Sequence, residues 1–258
     1  MITGSGKGVI GADQGNDTFT ADGSSDLLIV GGGGDDTVSD GAGEGRFIGG
    51  PSGDTENQTI FRHVGGTTEV SFRMVDGSPL PHRLVLQDNA GGYALDSPPP
   101  LSPGQTLDIG RNTLMINYAG TSPLATLVAA LKSGYDGGKW DGTGIVSSAA
   151  ASNSGFGIGY QDTPTGPAGP PTGGTIELRY TLLGDANLDG RVDFADLLTL
   201  ARHYGTGGTF TDGDANYDGQ VGFSDLALLA QTYGHTLTQP ITARASESIF
   251  KRMLKRHR

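Results

Sequence analysis

Two stretches near the end of the chain decide how it is read: GDANLDGRVDFADLLTLARHYG at residues 184–205 and GDANYDGQVGFSDLALLAQTYG at residues 213–234. Gly184 aligns with Gly213, and the offset of 29 residues holds to Gly205 and Gly234. Asp185, Asn187 and Asp189 match Asp214, Asn216 and Asp218, at alternate positions. Gly190 and Gly219 follow them, and Asp196 and Asp225 come six residues after those glycines. Oxygen-bearing side chains at alternate positions around a sharp glycine turn are the pattern of a twelve-residue calcium loop, with ligands at positions 1, 3, 5, 7, 9 and 12 and Gly at 6. Capping a helix needs one aspartate, not four at such positions.

In the first loop the ligands are Asp185, Asn187, Asp189, the carbonyl of Arg191, Asp193 and Asp196. In the second they are Asp214, Asn216, Asp218, the carbonyl of Gln220 and Asp225, with Gly222 leaving position 9 to water. Position 8 is Val192 or Val221, whose backbone is expected to pair the two loops in a short β contact. Position 12 opens a helix in each copy. Leu197, Leu200 and Ala201 recur on one face of the first, and Leu226, Leu229 and Ala230 on one face of the second. Four carboxylates in loop one against three in loop two predict the tighter site in loop one, because ligand charge raises affinity.

Two features differ from an ordinary EF-hand. Position 12 is Asp rather than Glu, and no helix is predicted before either loop. A loop–helix unit of this kind, occurring twice, resembles the dockerin domain, over residues 184–236. The resemblance implies bound Ca2+ and a cohesin-like or intramolecular protein partner. In that family positions 10 and 11 help choose the partner; here they are Phe194-Ala195 and Phe223-Ser224. Phe at position 10 in both copies also fits a residue of the core or of a contact between modules.

A second repeat lies at the N-terminus. ADQGNDTFT from Ala12, ADGSSDLLI from Ala21, GGGGDDTVS from Gly31 and DGAGEGRFI from Asp40 repeat every nine residues, with Val30 as an extra residue. The sixth position holds Asp17, Asp26, Asp36 and Gly45; the eighth holds Phe19, Leu28, Val38 and Phe47. One apolar residue per short turn-rich unit suits a thin coil of strands and turns. The third unit resembles the nonapeptide calcium repeat of secreted RTX proteins, which implies a β-roll and makes Asp17, Asp26 and Asp36 further candidate metal ligands.

The middle of the chain alternates as strands do. TTEVSFRMV (67–75) and HRLVLQD (82–88) read as strands, and SPPPLSPG (97–104) as a stiff linker. QTLDI (105–109) and NTLMINY (112–118) predict a hairpin across Gly110-Arg111. LATLVAALKSG predicts a helix with Pro123 at its start, Gly134 after its end, and an apolar stripe of Leu124, Leu127, Val128 and Leu131. FGIGY (156–160) and TIELRYTLL (175–183) read as two more strands. Trp140 is read either as a platform for stacking sugar rings or as the anchor of a loop.

The whole composition fits these parts. The chain has 258 residues with 45 Gly, no Cys, and 28 acidic against 17 basic residues, a net charge of −11. Twenty-three of the acids are Asp and five are Glu, and Asp suits tight turns and calcium loops. A hydrophobic share of 35% is low for one large core and favours small modules. Without Cys there are no disulfides and no Cys-ligated metal. The acidic balance disfavours nucleic acid, and no apolar run is long enough for a membrane span. Neither a nucleophile elbow nor an HExxH motif is present, and GSGKG (4–8) lacks the hydroxyl that a phosphate loop needs. The basic tail, with Ile249, Phe250, Met253 and Leu254 on one helical face, is read as a membrane-surface helix or a solvated end.

These readings predict a multi-module, β-rich chain with α+β parts. Residues 1–50 form the Gly/Asp repeat, 51–104 a β-rich segment and linker, 105–183 a small α+β module, 184–236 the paired calcium loops and 237–258 the basic tail. The expected function is non-catalytic: calcium-dependent docking, assembly or adhesion, with a protein or a surface polysaccharide as partner. The rival is an accessory region of a polysaccharide-degrading enzyme. Sites of this kind suit extracellular calcium, yet MITGSGKGVIGADQ has no apolar signal segment, which leaves three expectations: a start further upstream, secretion by another route, or a cytoplasmic chain.

Overall fold

The computed structural model describes residues 103–165 and 173–237 continuously. Before them it describes chiefly the strands, by backbone pairing up to Phe72 and with side chains from Arg83 onward. In chain order the strands are β1 (Ile2–Thr3), β2 (Gly8–Gly11), β3 (Thr18–Asp22), β4 (Leu27–Val30), β5 (Asp36–Asp40), β6 (Gly45–Ile48), β7 (Gln58–His63) and β8 (Thr68–Phe72). They continue as β9 (Arg83–Leu86), β10 (Tyr93–Leu95), β11 (Thr106–Asp108), β12 (Thr113–Ala119), β13 (Gly144–Val146), β14 (Phe156–Thr165) and β15 (Gly173–Leu182). The helices are α1 (Leu124–Tyr135), α2 (Ser148–Ala151), α3 (Phe194–His203) and α4 (Phe223–Thr232), so the architecture is mixed α and β.

Successive strands alternate between two sheets. The odd-numbered strands from β1 to β13 form a seven-stranded parallel sheet, and the even-numbered strands from β2 to β12 form the parallel part of an eight-stranded one that β14 and β15 complete. The chain therefore winds as a two-sided coil. Strands β3, β4, β5 and β6 begin at residues 18, 27, 36 and 45, the nine-residue period of the repeat. Phe19 lies opposite Val38, and Val38 opposite Phe61, as stacked repeats require. Leu28, however, pairs with Arg46, while Ile29 pairs with Phe47. The eighth positions of the second and fourth units are thus one register apart, and they do not form one column. Asp17 and Asp26 lie outside the described residues; Asp36 opens β5, and its backbone alone is described.

The expected hairpin over 105–118 does not form. β11 pairs in parallel with β9 and β13, and β12 pairs in parallel with β10. Gly110-Arg111 turns the chain from one sheet to the other, a corner that locally looks like a hairpin turn. The true hairpin is β14–β15, which joins the second sheet antiparallel to β12. Pairing runs on across residues 50 and 104, through β5–β7, β6–β8, β9–β11 and β10–β12, so the sheets do not break there.

Helix α1 bridges β12 and β13. Leu127 and Leu131 are buried, with Leu124 and Val128 packed against the same core. The helix runs through Gly134 to Tyr135 rather than ending before Gly134. Trp140 is 3% exposed, with its ring edge-on to Tyr135 at 5.3 Å, so it anchors this corner and offers no platform for sugars. The main core joins these residues with Leu188, Phe210 and Tyr217 from the C-terminal region. Among the described residues no helix is long and apolar enough to cross a membrane. Residues 238–258, with the basic tail, lie outside the described residues.

Gly134 makes a test of this packing. A methyl group there would overlap the carbonyl oxygen of Ile145. Ala in place of Gly inside a helix is otherwise favoured by about 1 kcal/mol. The backbone overlap outweighs that gain, so Gly134→Ala is expected to lower the thermal unfolding midpoint; an unchanged or raised midpoint contradicts the close approach of α1 and β13.

Candidate metal centre

Two small elements enclose each loop. β15 leads into the first loop, and a 3₁₀ turn, Phe210–Asp212, leads into the second. The loops then repeat one set of hydrogen bonds. Asp185 accepts the N–H groups of Asp189 and Gly190, each at 3.0 Å, and Asp214 accepts those of Asp218 at 3.1 Å and Gly219 at 2.9 Å. Asn187 Oδ1 accepts from Asp189 and Asn216 Oδ1 from Asp218, both at 2.9 Å. Asp189 takes the Arg191 N–H at 2.9 Å, and Asp218 the Gln220 N–H at 2.8 Å. The position-12 carboxylates close each loop from the first turn of the helix. Asp196 accepts from Asn187 at 3.2 Å and Asp193 at 2.9 Å; Asp225 accepts from Asn216 at 3.2 Å and Gly222 at 2.8 Å. Gly190 and Gly219, at φ 83° and 88°, make the turn that side-chain-bearing residues resist.

Asp193 adds a feature that loop two lacks. Its carboxylate accepts the Ala195 N–H at 2.8 Å and caps α3, while Gly222 has no side chain to do so at α4. Asp193 is exposed, as are the side chains of Arg191 and Gln220.

The two units cross over one another. Val192 bonds to Gly234 and His235 beyond α4, and Val221 to Gly205 and Thr206 beyond α3. The expected direct pairing of Val192 with Val221 is thereby replaced: each loop pairs with the chain that leaves the other loop's helix. Gly184 sits against Leu229 and Gly213 against Leu200, too close for a side chain at either glycine. Val192, Leu200, Val221 and Leu229 form a small buried cluster with Leu182. Leu197 and Leu226 pack at its edge, but Ala201 and Ala230 are exposed, because the helix face toward the core is narrower than the spacing suggested. Phe194 and Phe223 are 66% and 75% exposed, which excludes the core role, and Ala195 and Ser224 beside them are exposed too.

Position 4, to which the sequence assigned no role, is where the loops meet the sheet. Leu188 and Tyr217 take left-handed φ angles of 58° and 61°, at a cost of about 1 kcal/mol or more each. Both are buried, with Ala186 and Ala215 at position 2, whereas Asn187, Asp189 and Asp218 face outward. Thr181, Arg179 and Tyr217 are supporting residues that the sequence reading missed. Thr181 donates its hydroxyl to Asp185, and Arg179 donates to the Leu188 carbonyl at 2.6 Å. A polar residue in a strand that runs straight into a loop, and an aromatic between two ligand positions, were the available signals.

The electrostatics are one-sided. Asp185, Asp196 and Asp214 are wholly buried and Asp225 nearly so, and among the described residues none of them is ion-paired to Lys, Arg or His. Burying an uncompensated carboxylate costs several kcal/mol, which N–H donors offset only in part. Burial, with the neighbouring aspartates adding to it, pushes Asp185 and Asp214 up to about 6. Burial raises Asp196 as well. Among the described residues no three His, Asp or Glu side chains stand placed as a complete metal cage. A calcium loop also draws on amide and main-chain oxygens, here of Asn187, Arg191, Asn216 and Gln220. Buried, unpaired carboxylates in an all-oxygen donor set fit a hard divalent cation.

No family model matches the chain, and it matches no curated protein and no solved structure.

A pH dependence follows from the two aspartates raised to about 6. Without metal, the folded loops keep protons that the unfolded chain releases above about pH 4. The stability this contributes is complete below that pH and is lost as pH rises through the folded values. In EDTA the C-terminal region is therefore expected to melt at lower temperature at pH 7 than at pH 4.5. With saturating calcium the order reverses, since protons then compete with the ion. The same order in both conditions contradicts this assignment.

Proposed function

We propose that the chain is a non-catalytic, calcium-binding part of an extracellular or cell-surface protein. Residues 184–236 form a dockerin-like pair of calcium loops, following a coil whose N-terminal sequence repeat resembles that of RTX proteins. The observation that carries this reading is the duplicated loop itself: the same bonds at the same positions, wound around carboxylates that are buried and, among the described residues, have no cationic side chain against them. Calcium would supply the positive charge that this donor set lacks. Asp185, Asn187, Asp189, Asp193 and Asp196, with the Arg191 carbonyl, would hold one ion. Asp214, Asn216, Asp218 and Asp225, with the Gln220 carbonyl, would hold the other. Binding to the folded state alone stabilises it by mass action.

The role proposed for the loaded pair is docking or assembly. Two features support it: exposed Phe194 and Phe223 recur at equivalent positions, and aromatic residues are enriched where proteins meet. Trp140, the aromatic read as a platform for sugars, is buried, which favours a protein partner over a polysaccharide.

Titration calorimetry tests the reading. The chain is expected to bind two Ca2+ per molecule, the tighter in loop one. Asp214→Ala is expected to remove the weaker site and leave the tighter. Asp193→Ala is expected to weaken the tighter site, and it also removes a helix cap worth about 1 kcal/mol. Heat for no site, or a tighter site that survives in loop two, overturns the assignment or the ranking respectively.

A further inference from the structure

The second calcium loop sits on an open sheet edge. Strand β14 is the outermost strand of the eight-stranded sheet, with β15 on one side and, among the described residues, no strand on the other. Such an edge offers its backbone groups to any other strand that approaches. At Ile158 both groups are taken by a single side chain. The Ile158 N–H donates to the Tyr217 hydroxyl at 3.1 Å, and that hydroxyl donates to the Ile158 carbonyl at 2.8 Å. Tyr217 thus serves one residue of β14 as a neighbouring strand would.

The hydroxyl is held there by packing. Tyr217 is 1% exposed, and its ring lies 5.2 Å from Tyr135, 5.8 Å from Trp140 and 6.3 Å from both Tyr160 and Phe210. Loop one is tied to the same hairpin: Arg179 of β15 donates to the Leu188 carbonyl, at the equivalent position 4. At the end of α4, Thr232 donates its hydroxyl to the Leu183 carbonyl just after β15.

Tyr217 stands between Asn216 and Asp218, two of the residues assigned to the ion, and its left-handed backbone at φ 61° belongs to the wound form of the loop. Unwinding the loop would release that backbone angle and move the hydroxyl off Ile158. The geometry points to a calcium-controlled lock on the sheet edge: loop two, when loaded, holds β14 through Tyr217, and loss of calcium frees that edge. This rests on the calcium reading above and adds what binding would do to the rest of the chain. A chain that passes from calcium-poor to calcium-rich surroundings closes its sheet edge in the same step that orders its paired loops.

Hydrogen exchange of the full chain, read on the peptide spanning 156–165 and run beside calcium calorimetry on the same samples, tests the lock. Added calcium is expected to slow exchange in that peptide by roughly five- to a hundredfold, the usual range of coupling between sites. Asp218→Asn is expected to abolish this response while heat from loop one persists. Tyr217→Phe keeps the ring but not the hydroxyl, and is expected to retain calcium heat while the slowing at Ile158 is lost. Calcium heat without any change in the exchange of 156–165 overturns the lock and leaves the calcium reading standing. No heat on titration overturns the calcium reading and the lock with it.

Discussion

Four carboxylates, buried with no Lys, Arg or His beside them among the described residues, set the terms for the C-terminal half. Asp185, Asp196, Asp214 and Asp225 are tied to backbone N–H groups, which suffices to shape the loops but leaves negative charge in a place of low polarity. The remaining features answer to that constraint. Gly190 and Gly219 allow the turn that brings the donors around, and the helices begin where the position-12 carboxylates reach back. The two units also brace each other, since each loop pairs with the chain leaving the other's helix. A loop that loses its shape therefore disturbs its partner as well.

The same loops are built into the sheet rather than hung from it. Leu188 and Tyr217 pack with Ile158, Tyr160, Tyr180 and Trp140 in one core. A chain this rich in Gly has little apolar material to spare, and small hydrophobic units gain by sharing a core. Aromatic pairs at 5–6 Å add roughly 0.5–1.5 kcal/mol each beyond the area they bury, which makes the Tyr217 cluster a strong seam between loop and sheet.

Much of this was legible in the sequence, for local reasons. The repeated spacing of Asp185 to Asp196 and of Asp214 to Asp225 is local, so the two matching loops and the helices that follow them could be read directly. The nine-residue period matches the starts of β3 to β6 because each unit carries one strand. Legibility ended where distant residues decide. Gly110-Arg111 looks like a hairpin turn, yet in a coil the corner sends the chain to the opposite sheet. Gly134 looks like a helix stop, yet its missing side chain is what lets α1 approach β13. Phe194 and Phe223 fitted the core by type, but loop position 10 is the first residue of α3 and of α4 and faces outward. The contact between Tyr217 and Ile158 spans 59 residues, and no local pattern encodes it.

The central claim is that the paired loops exist to hold two cations. Crystals grown with calcium and measured at a long X-ray wavelength put that most directly to the test. The account predicts one anomalous peak inside each loop, surrounded by the oxygens of Asp185, Asn187, Asp189 and Asp196 in one and of Asp214, Asn216, Asp218 and Asp225 in the other. Loops that keep their present shape in saturating calcium, with no anomalous density in either, would contradict it.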